Sequence, residues 1–237
     1  MQIEPHADAA VSRIAAAIGE PARARILLCL MDGRARTSTE LAVVADVSPS
    51  TASVHLARLK IDRLVKVQSS GKNRFYSLEG HHVASALEAL SVLAASSRDP
   101  FVLPPANRLR AARTCYDHIA GLLGVSLYDR LAAVGWLSTR TPAAGNSGTT
   151  YDLTPDGTRA FEALGTDIEG ARALRRQFAC ACLDWSERRP HLGGALGAAL
   201  LSIALKRKWV VRDLDSRALG ITSLGRREML ARFGLQV

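Results

Sequence analysis

At 237 residues and 48% hydrophobic composition, the chain is long enough to bury more than one core, and a mean hydropathy of +0.05 argues against a membrane protein. The net charge of +9 and pI near 9.9 favour a polyanionic partner. That excess is uneven, with 12 Lys/Arg against 10 Asp/Glu up to residue 99 and 19 against 12 beyond it.

The opening MQIEPHADAA has no basic stretch running into an apolar one, so no secretory signal is read there. Four cysteines without disulfide-like density fit a reducing, cytoplasmic location. The longest weakly polar run, Leu192 to Leu205, is too short and too rich in Gly and Ala to span a bilayer, so no membrane partner is expected.

A helix over Ala9–Ile18 comes first. EPARARILLCLMDG then places Ile26, Leu27, Leu30 and Met31 on one apolar face and stops at Asp32-Gly33, which puts Cys29 in the core. Glu40 to Ala45 is a short helix, Asp46-Val47 a corner, and Ser48 with Pro49 opens a second helix as N-cap and first helical residue. In that second helix Ala52, Leu56 and Leu59 face inward, leaving Ser50, Thr51, Ser53, His55, Arg58 and Lys60 toward the outside. This is a helix-turn-helix with groove-reading and phosphate-binding side chains. Two strands follow, Val65–Gln68 and Arg74–Leu78, around a Ser-Ser-Gly-Lys-Asn turn that carries Lys72, with Arg74 just behind it. Helix, helix-turn-helix and basic hairpin together make a winged helix.

Residues 14 to 95 resemble the ArsR family of bacterial metal- and stress-responsive repressors, through EPARARILLCLMDG, TELA, SPSTASVHLARL, LVKVQSSGKNRFYSL and the helix after them. The resemblance implies a homodimer that places a recognition helix from each subunit in the major groove of a double-stranded operator and is released by an inducer. It makes Ser50, Thr51, Ser53 and His55 recognition-helix residues and Lys72 and Arg74 wing residues. Pairing would run through Ala9–Ile18 and the amphipathic HHVASALEALSVLAAS, whose Val83, Leu87, Leu90 and Leu93 share a side. The family's usual metal sites are poorly matched. The helix before the turn holds no thiol, and His81-His82 at the start of the dimer helix has no second histidine further along.

Three prolines in Ser96–Asn107 mark a boundary. The domains expected are 1–98, for DNA binding and dimerisation, a linker at 99–106, and a winged-helix-like regulatory domain at 107–237; the fold class is mainly α with small β-hairpins (α+β). The second domain contains a repeat. LYDRLAAVGWLSTR leads through a turn to YDLTPDGTRAFEAL, and LSIALKRKWVVRDLDSRALGITSLGRREML does the same, with Trp-led strands at Gly135–Ser138 and Lys208–Arg212 and N-caps at Thr154 and Thr222. Neither copy has a recognition helix like Ser50–Arg58, which makes this domain the sensor. Arg172, Arg175 and Arg176 read as a solvated helical face.

The sensor candidates are Cys115, Cys180 and Cys182, with His118, Asp184, Trp185 and His191 close in sequence. Soft thiolates suit Zn, Cd, Hg or trivalent arsenic and antimony, so a thiophilic metal or metalloid ion is the candidate inducer, while no cofactor is required. If FACACL is a helix, Cys180 and Cys182 point apart, and one of them would pair with Cys115 across two packed helices. Arg113, Arg188 and Arg189 could instead depress a thiol pKa for redox or electrophile sensing. A small organic effector among Trp185, Arg188, His191 and Gly193-Gly194 is a third reading, and an inducer-independent architectural DNA-binding protein a fourth. Catalysis is not expected: there is no glycine-rich phosphate loop, no G-x-S-x-G, no H-E-x-x-H and no paired-acid spacing.

Overall fold

The computed structural model describes residues 5–70, 73–96, 107–140, 149–213 and 216–237. The chain forms two compact units, Met1–Leu87 and Glu88–Val237. The expected linker, 99–106, lies outside the described residues, as does Lys72.

In the first unit α1 (Pro5–Ile18) precedes α2 (Pro21–Cys29), which starts at Glu20, whose carboxylate accepts from the N–H groups of Ala22 and Arg23. A 3-10 turn over Leu30–Asp32 closes at Gly33 in the left-handed region, φ 75°. Cys29 is half-buried and therefore less enclosed than expected. Strand β1 (Arg36–Thr37) runs into α3 (Ser38–Ala45), which is fixed by a capping box between Thr37 and Glu40. Asp46 ends α3 at φ 55°, Ser48 Oγ accepts from Thr51 N–H, and Pro49 opens α4 (Pro49–Ile61). Buried Ala52, Leu56 and Leu59 join Ile26, Leu27, Leu30 and Leu41 in the core. The wing is β2 (Val65–Ser70) against β3 (Asn73–Leu78), and β1 adds to the far edge of β3 in the order β1-β3-β2. Helix α5 (His81–Ser96) follows. The winged helix expected from sequence is present element by element.

The second unit is an internal duplication. Its first half runs α6 (Asn107–Ala111), β4 (Arg113–Cys115), β5 (His118–Ala120), α7 (Gly121–Ala133), β6 (Leu137–Arg140), β7 (Thr150–Leu153) and α8 (Pro155–Ala163). The second half repeats that order as α9 (Ile168–Ala173), β8 (Ala179–Leu183), β9 (Pro190–Gly193), α10 (Gly194–Lys206), β10 (Val210–Arg212), β11 (Leu219–Ile221) and α11 (Ser223–Phe233). Matching positions do matching work. Gly121 and Gly194 turn hairpin into helix at φ 76° and 81°. Thr154 and Thr222 cap α8 and α11, accepting from the N–H groups of Gly157 and Gly225.

The halves interlock. Strand β7 pairs with β8 to make the sheet β6-β7-β8-β9, and the symmetric junction is a single bridge, Arg113 to Ala218, between β4 and the start of β11. Helix α7 packs on β9 and α10 on β5, so each helix covers the hairpin of the other half. Trp136, Phe161, Trp209 and Phe233 meet edge-to-face in the shared core. Sequence reading found this repeat from α7 and α10 onward but missed the hairpin that precedes each. FACACL is strand β8, not a helix; Arg172 and Arg175 are exposed as expected, but Arg175 and Arg176 lie beyond the end of α9, and Arg172 pairs with Asp152 and the half-buried Arg176 with Asp117.

Candidate nucleic-acid interface and a buried cysteine–histidine cluster

Two sets of side chains carry chemistry, one outside a core and one inside. On α4 the exposed residues include Ser50, Thr51, Ser53, Arg58 and Lys60. Several are already engaged: Ser50 Oγ lies 2.8 Å from Ser48 Oγ, Ser53 Oγ donates to the Pro49 carbonyl, and Arg58 Nε sits 2.8 Å from the buried Asp62 carboxylate. His55 turns toward the start of α2. Its side chain is 15% exposed, with Nδ1 3.4 Å from Arg23 Nη1 and 3.5 Å from Glu20 Oε2. Val54, which sequence reading passed over, is 69% exposed one helical turn beyond Ser50 and Thr51. Its signal was spacing alone: with 52, 56 and 59 buried, 54 must face out. On the wing, Arg74 is exposed opposite Ser69.

In the second unit, Cys115, His118, Cys182 and His191 bring their donor atoms within 4.8 Å of one another. Each half gives one cross-strand pair: Cys115 stands opposite His118 in β4–β5, and Cys182 opposite His191 in β8–β9. The two sulfurs are 3.9 Å apart and the two Nε2 atoms 3.1 Å apart. A glycine on each covering helix makes room for the histidine of the other half. A Cβ on Gly124 would lie 3.4 Å from His191 Cβ, and one on Gly197 3.1 Å from His118 Cβ.

The surroundings repeat as well. Asp117 and Asp184 each follow a cluster cysteine at the same offset, Cys115-Tyr116-Asp117 and Cys182-Leu183-Asp184. Asp117 Oδ1 lies 3.2 Å from His118 Nδ1, and Asp184 Oδ2 3.5 Å from His191 Nδ1, a buried nitrogen that makes no hydrogen bond. An arginine from the other half holds each carboxylate, Arg176 on Asp117 and Arg113 on Asp184. Burial alone would raise both acids, but these contacts hold them well below the ordinary carboxylate range. For His118, burial works toward the neutral ring and is outweighed by Asp117 and Cys182, which lift it to about 9. The hydrogen bond between the two sulfurs lowers Cys182 despite its burial, with further help from both imidazoles, while the same bond and burial push Cys115 up. The largest influences lowering this thiol are thus its sulfur partner and the two imidazoles. Arg113 is turned to Asp184, and Arg189 to Asp129.

Cys180 stands apart. It shares a strand face with Cys182 but lies opposite Gly193, and its sulfur is not in the four-atom group. Burial raises it to about 11. Cys115 does meet a partner from the second half, as expected, but across strands instead of helices. Trp185 takes the Arg113 guanidinium on its ring at 4.7 Å. Part of the sequence signal was the repeat itself: carried backwards from Gly121 and Gly194 it aligns His118 with His191, whereas Cys115 and Cys182 correspond only once the longer turn between β8 and β9 is allowed for.

A family profile described as a helix-turn-helix domain matches residues 18–68. Over 218 residues, 91% of this chain and 93% of the relative, the sequence is 38% identical to YdfF of Bacillus subtilis, an HTH-type transcriptional regulator. The chain belongs to the HTH-type transcriptional regulators. The match to that regulator spans both units, so the duplicated one is part of what the two proteins share. A second relative, the HTH-type transcriptional regulator CmtR of Mycobacterium tuberculosis, is 34% identical over 97 residues, 40% of this chain and 81% of its own. Among solved structures, HlyU from Vibrio cholerae is 29% identical and covers 38% of this chain and 97% of its own, with a TM-score of 0.35. Among the described residues, no helix is long and apolar enough to cross a membrane.

Proposed function

We propose that this regulator is a dimeric repressor that reads a pseudo-palindromic operator through α4 and leaves it when a thiol-reactive inducer, a metal or metalloid ion, binds the second unit. The observation that carries the DNA reading is the exposed polar face of α4 behind the Ser48-Pro49 start, in a chain matched along nine-tenths of its length by an HTH-type regulator. Apolar side chains left exposed on α1 and α5, with Leu93 at 67%, support self-association through those helices. The inducer reading is supported by two thiols and two imidazoles gathered at one buried point.

A mobility-shift titration on the protein's own upstream DNA tests the reading. Half-sites should lie about one helical turn, roughly 10 bp, or a multiple apart. Arg74→Ala should weaken binding to all sequences and reduce the salt slope by about 1. Equal affinity for random duplex and upstream DNA would defeat the operator reading. Release is then followed with Zn(II), Cd(II), arsenite, peroxide and an alkylating electrophile. A tenfold loss of operator affinity requires about 1.4 kcal/mol of coupling between ion and DNA.

A redox reading has one observation in its favour. Sulfurs 3.9 Å apart need to close to about 2.05 Å to form a disulfide. Release by peroxide but by no ion would select it.

A further inference from the structure

We infer that Cys115, His118, Cys182 and His191 form a closed, four-coordinate site for a divalent ion of the zinc class, with Cys180 outside it. This deepens the inducer reading and rests on it for any effect on DNA.

The distances carry the inference. A tetrahedral ion with bonds of about 2.3 Å to sulfur and about 2.05 Å to nitrogen sets its sulfurs about 3.8 Å apart and its nitrogens about 3.3 Å apart. The sulfurs here are 3.9 Å apart and the Nε2 atoms 3.1 Å apart. All six edges of the tetrahedron fall within 4.8 Å.

The histidines are oriented for the task. An aspartate faces Nδ1 of each ring, which favours the Nδ1–H tautomer once the rings are neutral and turns both Nε2 atoms toward the site an ion would take. Two lone pairs at 3.1 Å repel unless a cation or a shared proton lies between them. The buried His191 Nδ1, which has no hydrogen bond although Asp184 Oδ2 is 3.5 Å away, needs only a small ring shift to complete the carboxylate–histidine pair.

Charge agrees. Two thiolates and two neutral imidazoles around a divalent ion sum to zero, which suits a set in which Cys115, His118 and His191 are almost fully buried. Four protein donors leave no open position, so the site is of the holding kind and does not activate water. It also differs from what trivalent arsenic or antimony takes, three thiolates: the third sulfur, Cys180, is outside the group, and its place is filled by nitrogen.

The test is Co(II) titration of the metal-free full-length protein, followed by visible absorption. The expected result is one Co(II) per chain, with intense d–d bands of tetrahedral geometry and thiolate charge-transfer, displaced by Zn(II). Cys115→Ser and Cys182→Ser should each halve the charge-transfer intensity and weaken binding at least tenfold. Cys180→Ser should leave spectrum and affinity within twofold of wild type. Asp117→Asn, which leaves all four donors in place, should weaken binding about 10- to 100-fold.

A pale octahedral spectrum from the wild type, or charge-transfer lost with Cys180, overturns the site, and the wild-type spectrum decides even where a cysteine variant fails to fold. Stoichiometric arsenite uptake consuming three thiols overturns the ion class. The inducer reading fails separately: tetrahedral Co(II) with unchanged operator affinity upholds the site and removes its role in release, whereas ion-driven release with octahedral Co(II) does the reverse.

Discussion

The two units place their chemistry on opposite sides of their cores. In the winged helix the polar residues of α4 sit outside, and what lies beneath them, Ala52, Leu56 and Leu59, is packing. In the duplicated unit the reactive groups lie inside: Cys115 and two histidines are buried, Cys182 is half-buried beside them, and the buried Arg113–Asp184 pair sits at the start of α7, where Asp184 accepts from the Gly121 N–H. A surface site can be changed with little effect on folding. An interior one couples folding and function, so substitutions should separate the units clearly.

The largest expected effect is at Arg113. Its side chain and that of Asp184 are both 0% exposed, 2.9 Å apart, and Asp184 Oδ1 also accepts from Ser186. Arg113→Ala would strand a buried carboxylate, and removing one partner of such a pair costs about 3–5 kcal/mol. Urea denaturation of the full chain measures it; a loss under about 1 kcal/mol would mean that water reaches Asp184 and that the interior is less closed than described.

Next come the glycines of the interlock. A Cβ on Gly197 would stand 2.3 Å from the Leu192 carbonyl oxygen, so Gly197→Ala forces the helix off its hairpin at about 1–3 kcal/mol. Gly135→Ala is the control. That residue has φ 69° and open space around its Cβ position, so only backbone strain of about 1–2 kcal/mol applies. The two variants differ in a second reading: Gly197→Ala should perturb Co(II) binding because His118 Cβ is 3.1 Å away, and Gly135→Ala should not.

These residues also show what the sequence made legible. The helix-turn-helix is local grammar: Ser48 and Pro49 announce their roles where they act and fill them as their type and position predict, while the Thr37–Glu40 capping box, not read from the sequence, has the same short-range T-x-x-E spacing. The N-caps Thr154 and Thr222 were legible for the same reason. The cluster was not, because its members meet across the chain: Cys115 finds Cys182 only through the docking of β5 and α7 on β9. The misreading of FACACL as a helix follows from its small residues, Ala and Cys, which state no periodicity; pairing with β7 and β9 decides it as a strand. His55 fooled the pattern differently. It is on the outer half of α4 by spacing, but a long side chain beside Glu20 and Arg23 bends to the partners within reach.

In the first unit, Thr37→Ala removes the N-cap of α3 and should cost about 1 kcal/mol. Glu40 gives this effect a pH signature. Its carboxylate accepts from Thr37 N–H and hydroxyl, both at 2.7 Å, which holds its pKa below the ordinary value. A carboxyl whose folded pKa is depressed stabilises above its unfolded value, near 4.3, and that contribution fades as pH falls through the folded one. The difference between wild type and Thr37→Ala should therefore be full at pH 7 and shrink below about pH 4; a difference independent of pH would mean that the box contributes through Thr37 alone.

The smallest expected effect on stability is at Val54, and it sharpens the contrast most. An exposed valine in mid-helix supports nothing beneath it, and helix propensity slightly favours its replacement, so Val54→Ala should move stability by no more than about 0.5 kcal/mol. If α4 lies in a major groove, the same change removes two methyl groups from the face that also bears Ser50 and Thr51. Apolar side chains there read the thymine methyl, and losing one such contact relaxes the choice of base at one position while leaving phosphate contacts intact. Binding to a library of duplexes randomised one position at a time should then show a single position where the preference flattens, with the salt slope unchanged. Unchanged preference at every position would place Val54 outside the groove and rotate the reading face of α4 toward Ser53 and Lys60.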